Sequence, residues 1–150
     1  MKRRKFLACL ALMPVAPAMA AGPASPPVHV FKNPDCGCCG GWAKHLESAG
    51  FAVKVTDVND TAPVRKRFGM PERYGSCHTA TVDGYVIEGH VPAADVRRLL
   101  QSRPAAIGLA VPGMPVGSPG MEVGDRVDAY DVLLVDRSGS SVVFSRYASK

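Results

Sequence analysis

The sequence predicts one α/β domain with elements in the order β-α-β-α-β-β-α, followed by a C-terminal extension. Three observations support this prediction. Short runs of alternating apolar and polar residues, typical of strands, are interspersed with segments of helical periodicity. An Asp-Gly pair, Asp83-Gly84, joins two of these runs as a hairpin turn would. Finally, 150 residues with 47% apolar content can fill one modest core, but not two comfortable domains.

The first 20 residues predict a cleaved secretory signal peptide. "MKRRKFLACLALMPVAPAMAA" has a basic start, an apolar stretch too short to span a membrane, and the small-residue pattern Ala18-Met19-Ala20. "RRKFL" also resembles a twin-arginine signal, so both export routes stay open. We expect a periplasmic protein with no membrane segment in its mature form. Most of the net charge of +5 lies in this segment, so it is no argument for nucleic-acid binding.

Residues 21–27 form a Pro-rich, flexible lead-in, and residues 28–103 hold the predicted domain. Its first helix is expected from about residue 40 to residue 48, with apolar residues at helical spacing from Trp42 onward. The other predicted elements are strands at 28–31 and 51–58, a short helix at 62–69, a hairpin at 79–88 and a helix at 92–101.

Several polar residues of this domain have ordinary structural interpretations. His45, on the polar side of the first helix, is expected in solvent, and the basic run Arg65, Lys66 and Arg67 is expected on a solvated helix face. His29 lies inside a strand and is expected to be structural.

Residues 104–150 form the C-terminal extension, which is expected to pack on the domain and contribute to a metal site. Residues 104–124 contain five glycines and four prolines without usable periodicity. Long segments of this kind inside a compact domain are usually functional or disordered. "AYDVLLVD" and "SVVFSRY" then predict a closing hairpin around "RSGS". Because two apolar strands follow the Gly/Pro segment, we expect an ordered loop.

Three cysteines, Cys36, Cys38 and Cys39, crowd directly before the first helix, and Cys77 is the fourth cysteine beyond the signal segment. A disulfide between Cys36 and Cys39 is easy, whereas adjacent cysteines can bond to each other only through a strained ring. The helix N-terminus favours a thiolate at Cys39. This spacing argues against two structural disulfides and leaves Cys38 and Cys77 to be explained.

A cysteine motif between a strand and a helix is thioredoxin-like in outline, and that topology places the other candidate ligands. The first hairpin strand would run antiparallel to the first strand of the domain. Cys77 and His78, at its start, would then lie beside the end of the first strand. His90 follows the second hairpin strand, which returns to the same edge of the sheet. We therefore expect these side chains to meet the cysteine motif.

Copper is the metal that this ligand set favours. Thiolates are soft ligands suited to Cu(I), and crowded thiols fit sulfur bridging between several copper ions better than one tetrahedral zinc ion. The spacings typical of iron–sulfur clusters are missing. Met114 and Met121, in the Gly/Pro loop, are soft thioethers that either bind copper or fill space.

Four motifs in order, "CGCC", "SCHTA", "GHVPA" and "MPVGSPGME", resemble the CopG-type periplasmic copper-resistance proteins. These are thioredoxin-like domains with a metal-binding C-terminal extension. The resemblance covers most of the mature chain and implies copper bound by cysteine sulfurs, with a role in interconverting Cu(I) and Cu(II). Thioredoxins proper have a cis-proline before the third strand, where this chain has Cys77-His78, which argues against general disulfide exchange.

The sequence thus predicts a monomeric periplasmic protein of copper resistance, which binds more than one copper ion and interconverts its oxidation states as a copper oxidoreductase. Cys36 and Cys39 are the predicted redox-active residues. The predicted metal ligands are Cys36, Cys38, Cys39, Cys77, His78, His90, Met114 and Met121. Two alternatives remain open: a thiol–disulfide oxidoreductase that uses Cys36 and Cys39, and a passive chaperone that hands copper to an efflux system.

Overall fold

The structure is a computed structural model that describes residues 25–150, so the predicted signal peptide lies outside the described residues. The strands are β1 (Val28–Lys32), β2 (Val53–Asp57), β3 (His78–Val82), β4 (Tyr85–Glu88), β5 (Ala106–Ala110), β6 (Tyr130–Asp136) and β7 (Ser141–Tyr147). The helices are α1 (Gly37–Ser48), α2 (Ala62–Arg67) and α3 (Ala93–Ser102), with a 3-10 turn at Glu72–Tyr74. Within residues 25–150, no helix has the length and apolar character needed to cross a membrane.

All seven strands belong to one sheet, in the order β2-β1-β3-β4-β5-β6-β7. As predicted, β1 pairs in parallel with β2 and antiparallel with β3. Lys32, the last residue of β1, lies opposite His78, the first residue of β3. The segment after β1 and the segment before β3 therefore share one edge of the sheet. The α/β class and the predicted order of the first seven elements are confirmed.

The β3–β4 hairpin forms where the Asp-Gly pair predicted it. Asp83 and Gly84 both adopt left-handed backbone angles, with φ of 47° and 83°. Two consecutive left-handed residues define the hairpin turn whose twist matches that of the flanking strands. The turn thereby sets the register that brings the end of β4, and His90 after it, back to the edge where β3 begins.

Helix α1 begins at Gly37, three residues earlier than predicted. Cys36 is the N-cap residue, so Cys38 and Cys39 lie in the first turn of the helix and not in the loop before it. The prediction placed the start at the first clear apolar periodicity, but a helix can begin on small residues when its first turn packs against other parts of the protein. The consequence is that the helix itself orients two of the cysteines.

Strand β5 corrects the prediction of an irregular loop across residues 104–124. It pairs with β4 and with β6 and so lies inside the sheet. Its residues do not alternate because both faces are covered: Leu109 belongs to the larger apolar cluster and Ala110 to a smaller one. At Gly108, a Cβ atom would stand 1.8 Å from the carbonyl oxygen of Val86. This glycine, which in the sequence indicates a loop, permits the close approach of two strands.

The closing hairpin, β6 and β7, forms as predicted and is fastened to α3 by a buried acid. Asp95 of α3 is 4% exposed and accepts hydrogen bonds from the Tyr147 hydroxyl, at 2.7 Å, and from the Ser145 hydroxyl. The Arg98 guanidinium lies 3.8 Å from the centre of the Phe144 ring. The C-terminal residues therefore continue the domain sheet and pack against its third helix.

We expect Gly108→Ala to lower the free energy of unfolding by at least about 1–3 kcal/mol, the usual cost of forcing atoms into a filled core. The reason is the contact with the Val86 carbonyl. The matched control is Gly40→Ala in α1, where a Cβ has no neighbour within 4 Å. Because alanine suits a helix better than glycine, this control should be neutral or gain about 0.5–1 kcal/mol. Urea unfolding followed by Trp42 fluorescence measures both; equal stabilities would contradict the assignment of β5.

Candidate metal centre

The four cysteines lie together at the edge where β1 ends and β3 begins. Cys36 and Cys39 form a disulfide, and Cys38 and Cys77 are free thiols. The Cys38 sulfur is 3.4 Å from the Cys36 sulfur and 3.8 Å from the Cys77 sulfur. The four sulfur atoms all lie within 4.8 Å of one another. The two sequence segments that carry cysteines thus form one compact group of sulfur atoms.

Helix α1 supplies the electrostatic setting of this group. Its first turn contains no acidic residue, so the partial positive charge of the helix N-terminus is not neutralised by a carboxylate there. Cys39 is fully buried, whereas Cys36 and Cys38 are partly exposed. The helix end therefore attracts negative charge, and two of the three cysteines of the motif are partly open to solvent.

His90 presents a free ring nitrogen to the sulfur group. Its Nδ1 lies 2.8 Å from the carbonyl oxygen of Pro119, which can only accept a hydrogen bond, so Nδ1 carries the proton of the neutral ring. Nε2 is then an acceptor, and it lies 3.1 Å from the Cys77 sulfur. A carbonyl that fixes the tautomer of an imidazole in this way is a common feature of metal-binding histidines.

His78 is enclosed by the site and has an unsatisfied nitrogen. Its Nδ1 lies 3.4 Å from the Cys77 sulfur, and its ring packs against Trp42 with centroids 4.4 Å apart. Its Nε2 is buried without a hydrogen-bond partner among the described residues. Buried polar atoms are rarely left unpaired, so Nε2 is unusual, while Nδ1 beside the Cys77 sulfur fits the donor set of a metal site.

Burial sets the protonation of these candidate ligands. It lowers the pKa of His78 to about 3, with a further contribution from the neighbouring His90, and it also lowers the pKa of His90 itself. Burial and the adjacent Cys38 raise the pKa of the Cys77 thiol to about 12. At neutral pH both imidazoles are therefore neutral and Cys77 holds its proton. A metal ion would find the histidines ready to bind and would have to displace the thiol proton.

The C-terminal extension packs directly on the cysteine motif. A Cβ at Gly120 would stand 2.6 Å from the Cys38 carbonyl oxygen, and the φ of +85° at this position also requires glycine. The preceding residue, Pro119, is the hydrogen-bond partner of His90. The Gly/Pro loop thus touches both groups of candidate ligands through its backbone.

The two methionines of this loop differ in position. Met114 is 53% exposed and borders a cavity of about 380 Å³ that Cys77 also lines. Met121 is partly buried, and its backbone bonds to Gly117 and Ser118 in the turn that precedes it. The structure therefore brings Met114 to the approach of Cys77, while the assignment of either thioether as a ligand stays a prediction.

Two polar residues of the sequence analysis are placed differently from expectation. Arg65 is 4% exposed and forms an ion pair with Glu88, so the prediction of a solvated side chain is wrong for Arg65, although Lys66 and Arg67 are exposed. His45 is partly buried and accepts a hydrogen bond from the Ala93 N–H at the start of α3, at 3.0 Å. In both cases a partner distant in sequence, which local periodicity cannot reveal, draws the side chain inward.

Glu88 is the residue near the site that sequence reasoning missed. It is fully buried at the end of an apolar strand, and each carboxylate oxygen accepts a hydrogen bond. An acid at the end of a central strand needs a cation or donors around it. That requirement was a usable signal that Glu88 has a buried partner, although the sequence did not show that the partner is Arg65.

Comparison with known proteins adds a family to this geometry. Residues 74–121 match the family described as "Protein of unknown function, DUF411", a span from just before Cys77 to Met121. A comparison with curated proteins finds no match. Two solved structures, titled "Copper resistance protein copG- Form 2" and "Copper resistance protein copG- Form 1", are 50% and 49% identical to this chain, both with a TM-score of 0.78.

These alignments cover 82% and 83% of this chain and 98% of each of the other chains. Half of the aligned residues are identical across almost the full length of the solved proteins, and the backbone follows the same thioredoxin-like course. The shared region includes the sheet edge where the cysteines and histidines converge. The chain therefore belongs to the CopG family of copper resistance proteins.

Proposed function

We propose that this protein binds copper at the sheet edge described above and serves copper resistance in the periplasm. The observation that carries the proposal is the group of four cysteine sulfurs within 4.8 Å of one another, bordered by His78 and His90. Membership of the CopG family supports the choice of metal. The Cys38 and Cys77 thiols and the free Nε2 of His90 are soft or borderline ligands that suit copper better than magnesium or calcium.

More than one copper ion fits this arrangement better than a single zinc ion. A structural zinc site usually draws four ligands from separated pairs and spreads them into a tetrahedron. In this protein Cys36, Cys38 and Cys39 lie at the start of one helix, and their sulfurs all lie within 4.8 Å of the Cys77 sulfur. Sulfur atoms so close to one another are suited to bridge neighbouring ions. Copper is then the cargo or substrate of the protein and not a resident cofactor.

The chemistry that we propose is interconversion of Cu(I) and Cu(II), with Cys36 and Cys39 as the electron source. When the two thiols form their disulfide, they release two electrons and two protons. The two electrons reduce two Cu(II) ions to two Cu(I) ions, and the protons pass to water. The disulfide between Cys36 and Cys39 is the oxidised form of this pair. A dithiol reductant from outside would return it to the reduced form. Cys38 and Cys77, which are outside the disulfide, would bind copper as thiolates and release their protons.

Two other functions compete with this proposal. A thiol–disulfide oxidoreductase would use the same Cys36–Cys39 pair but would have no need for Cys38 and Cys77, which lie within 3.8 Å of each other beside the disulfide. A passive chaperone would bind copper with the same ligands and hand it to an efflux system without changing its oxidation state. For all three functions we propose an exported monomer.

The protein should bind more than one copper ion per chain, and it should show thiolate-to-copper charge-transfer absorption when the bound copper is oxidised. Because ligand thiols must lose protons, the affinity should weaken as the pH falls. Metal analysis, optical titration and competition with a copper chelator at several pH values measure these properties. Stoichiometric zinc, with no copper bound under reducing conditions, would refute the proposal.

Replacing Cys38 with serine separates the copper functions from disulfide exchange. Cys38→Ser keeps the Cys36–Cys39 pair but removes a sulfur 3.4 Å from Cys36, so the number of copper ions bound should fall. The matched variant Cys36→Ser/Cys39→Ser keeps Cys38 and Cys77 and should abolish any disulfide-exchange activity. Full copper resistance in cells that carry Cys38→Ser would favour the oxidoreductase.

The methionine loop is tested by Met114→Leu, Met121→Leu and the double variant. If the thioethers bind copper, the spectrum or affinity should change while the melting temperature of the metal-free protein stays the same. Leucine is close in volume, so the loss of stability should be under about 1.5 kcal/mol. Met70→Leu, in the buried core, is the control and should leave copper binding intact. An unchanged spectrum in the double variant would assign the methionines to packing.

A further inference from the structure

We propose that Arg65 and Glu88 are positioning residues that hold Cys77 in place at the metal centre. They reach no ligand sulfur themselves; they act on the backbone of Ser76, the residue before Cys77. The inference rests on the proposed copper function, because that function is what makes the position of Cys77 matter. Whether the pair positions Cys77 can still be measured without copper.

Ser76 is held at both of its backbone polar groups. Its N–H donates to Oε1 of Glu88 at 2.8 Å, and its carbonyl oxygen accepts from Nη2 of Arg65 at 2.9 Å. Arg65 Nε donates to the same Glu88 oxygen at 2.8 Å, which closes a ring of three hydrogen bonds. One charged pair thus holds the two peptide groups on either side of the Ser76 Cα, the second of which leads into Cys77.

The pair is itself rigidly held. Glu88 Oε2 accepts from the Thr79 hydroxyl at 2.7 Å, and Arg65 Nη1 donates to Glu72 at 2.7 Å. Glu88 is fully buried and Arg65 is 4% exposed, so neither side chain has room to rearrange in solvent. Charge-assisted hydrogen bonds of this kind are about twice as strong as neutral ones.

The clamp, which is the Arg65–Glu88 pair together with its two bonds to Ser76, joins three parts of the chain that carry the site. Arg65 comes from α2, Glu88 ends β4 two residues before His90, and Ser76 lies in the irregular segment before β3. That segment has little space: a Cβ at Gly75 would stand 3.0 Å from the Arg65 guanidinium. The clamp therefore sets the position of Cys77 relative to His90.

Stability alone is a weaker explanation for this pair. Burying two charges costs desolvation energy, and buried ion pairs can often be replaced by apolar residues without loss of stability. Cys77 lies outside regular structure, where the backbone ladder does not fix it. Burying this pair costs desolvation energy, yet the pair binds the backbone of the residue before Cys77. Its role is therefore better explained by the position that it gives to Cys77.

The test compares a clamp-free variant with a conservative one. Arg65→Met/Glu88→Leu removes both charges together and leaves no unpaired buried ion. Glu88→Gln keeps an oxygen that can accept from the Ser76 N–H. Asp95→Asn disturbs the other buried acid network, between α3 and β7, and controls for general destabilisation. Should the double variant fail to fold, Arg65→Lys retains the charge but not the forked contact with Glu88 and Ser76, and it replaces the double variant in the test.

The first readout is the alkylation rate of Cys77 in metal-free, non-reduced protein that carries Cys38→Ser. Cys9→Ser is added so that the cysteine of the N-terminal segment cannot react. With Cys36 and Cys39 in their disulfide, Cys77 is then the reacting thiol. We expect several-fold faster alkylation in the clamp-free variant, and rates close to the parent in Glu88→Gln and Asp95→Asn. An unchanged rate in a folded clamp-free variant would overturn the proposal.

The second readout is copper affinity and the charge-transfer spectrum with all cysteines present. Loss of partners that orient ligands typically weakens metal binding by about 10- to 100-fold, and we expect this range for the clamp-free variant. An equal loss of copper affinity in Asp95→Asn would show that the Arg65–Glu88 pair has only a general structural role, and would overturn the proposal. If the parent protein binds no copper, the proposed function fails, while the alkylation rates still decide whether the clamp positions Cys77.

Discussion

The antiparallel pairing of β1 with β3 is the constraint on which the site depends. Because Lys32 lies opposite His78, the loop that leaves β1 and the loop that enters β3 must meet at one end of the sheet. The cysteine motif occupies the first of these loops and the start of α1, and Cys77 ends the second. The tight β3–β4 turn then returns the chain to the same end, where His90 follows. The candidate ligands therefore meet without any long connection between them.

Burial determines the protonation state of the side chains that meet at this end of the sheet. The two histidines stay neutral because charging a buried imidazole is costly, and a carbonyl holds the His90 proton on the nitrogen that faces away from Cys77. The thiols of Cys38 and Cys77 lie beside the disulfide of Cys36 and Cys39, which in the proposed function alternates with a dithiol. Soft ligands and a two-electron couple within one small volume suit a metal ion that itself has two accessible oxidation states, which is the basis of the proposed copper function.

The C-terminal residues belong to the site as much as the thioredoxin-like part does. Strands β5, β6 and β7 extend the same sheet, and the buried Asp95 fastens the last of them to α3. The connection between β5 and β6 is thereby anchored at both ends, so its turn at Pro119 and Gly120 can press on the cysteine helix and hold His90. The clamp of Arg65 and Glu88 holds the backbone of Ser76, the residue before Cys77.

By itself, the sequence determined the α/β class, the hairpin at Asp83-Gly84 and the disulfide pair that the cysteine spacing allows, because alternation, turn chemistry and spacing are local properties. The order of the predicted elements then indicated the topology, and the topology indicated which side chains meet: Cys36, Cys38, Cys39, Cys77, His78 and His90. Only the tertiary structure decided the rest. Strand β5 has no alternation since both of its faces are buried, and Gly108 is explained by the approach of Val86. Arg65 is buried, and not solvated as the sequence predicts, because it forms an ion pair with the buried Glu88, which is distant in sequence. An ion pair between residues that are distant in sequence leaves no pattern in the sequence around either residue. The partner can therefore be identified only in the folded structure.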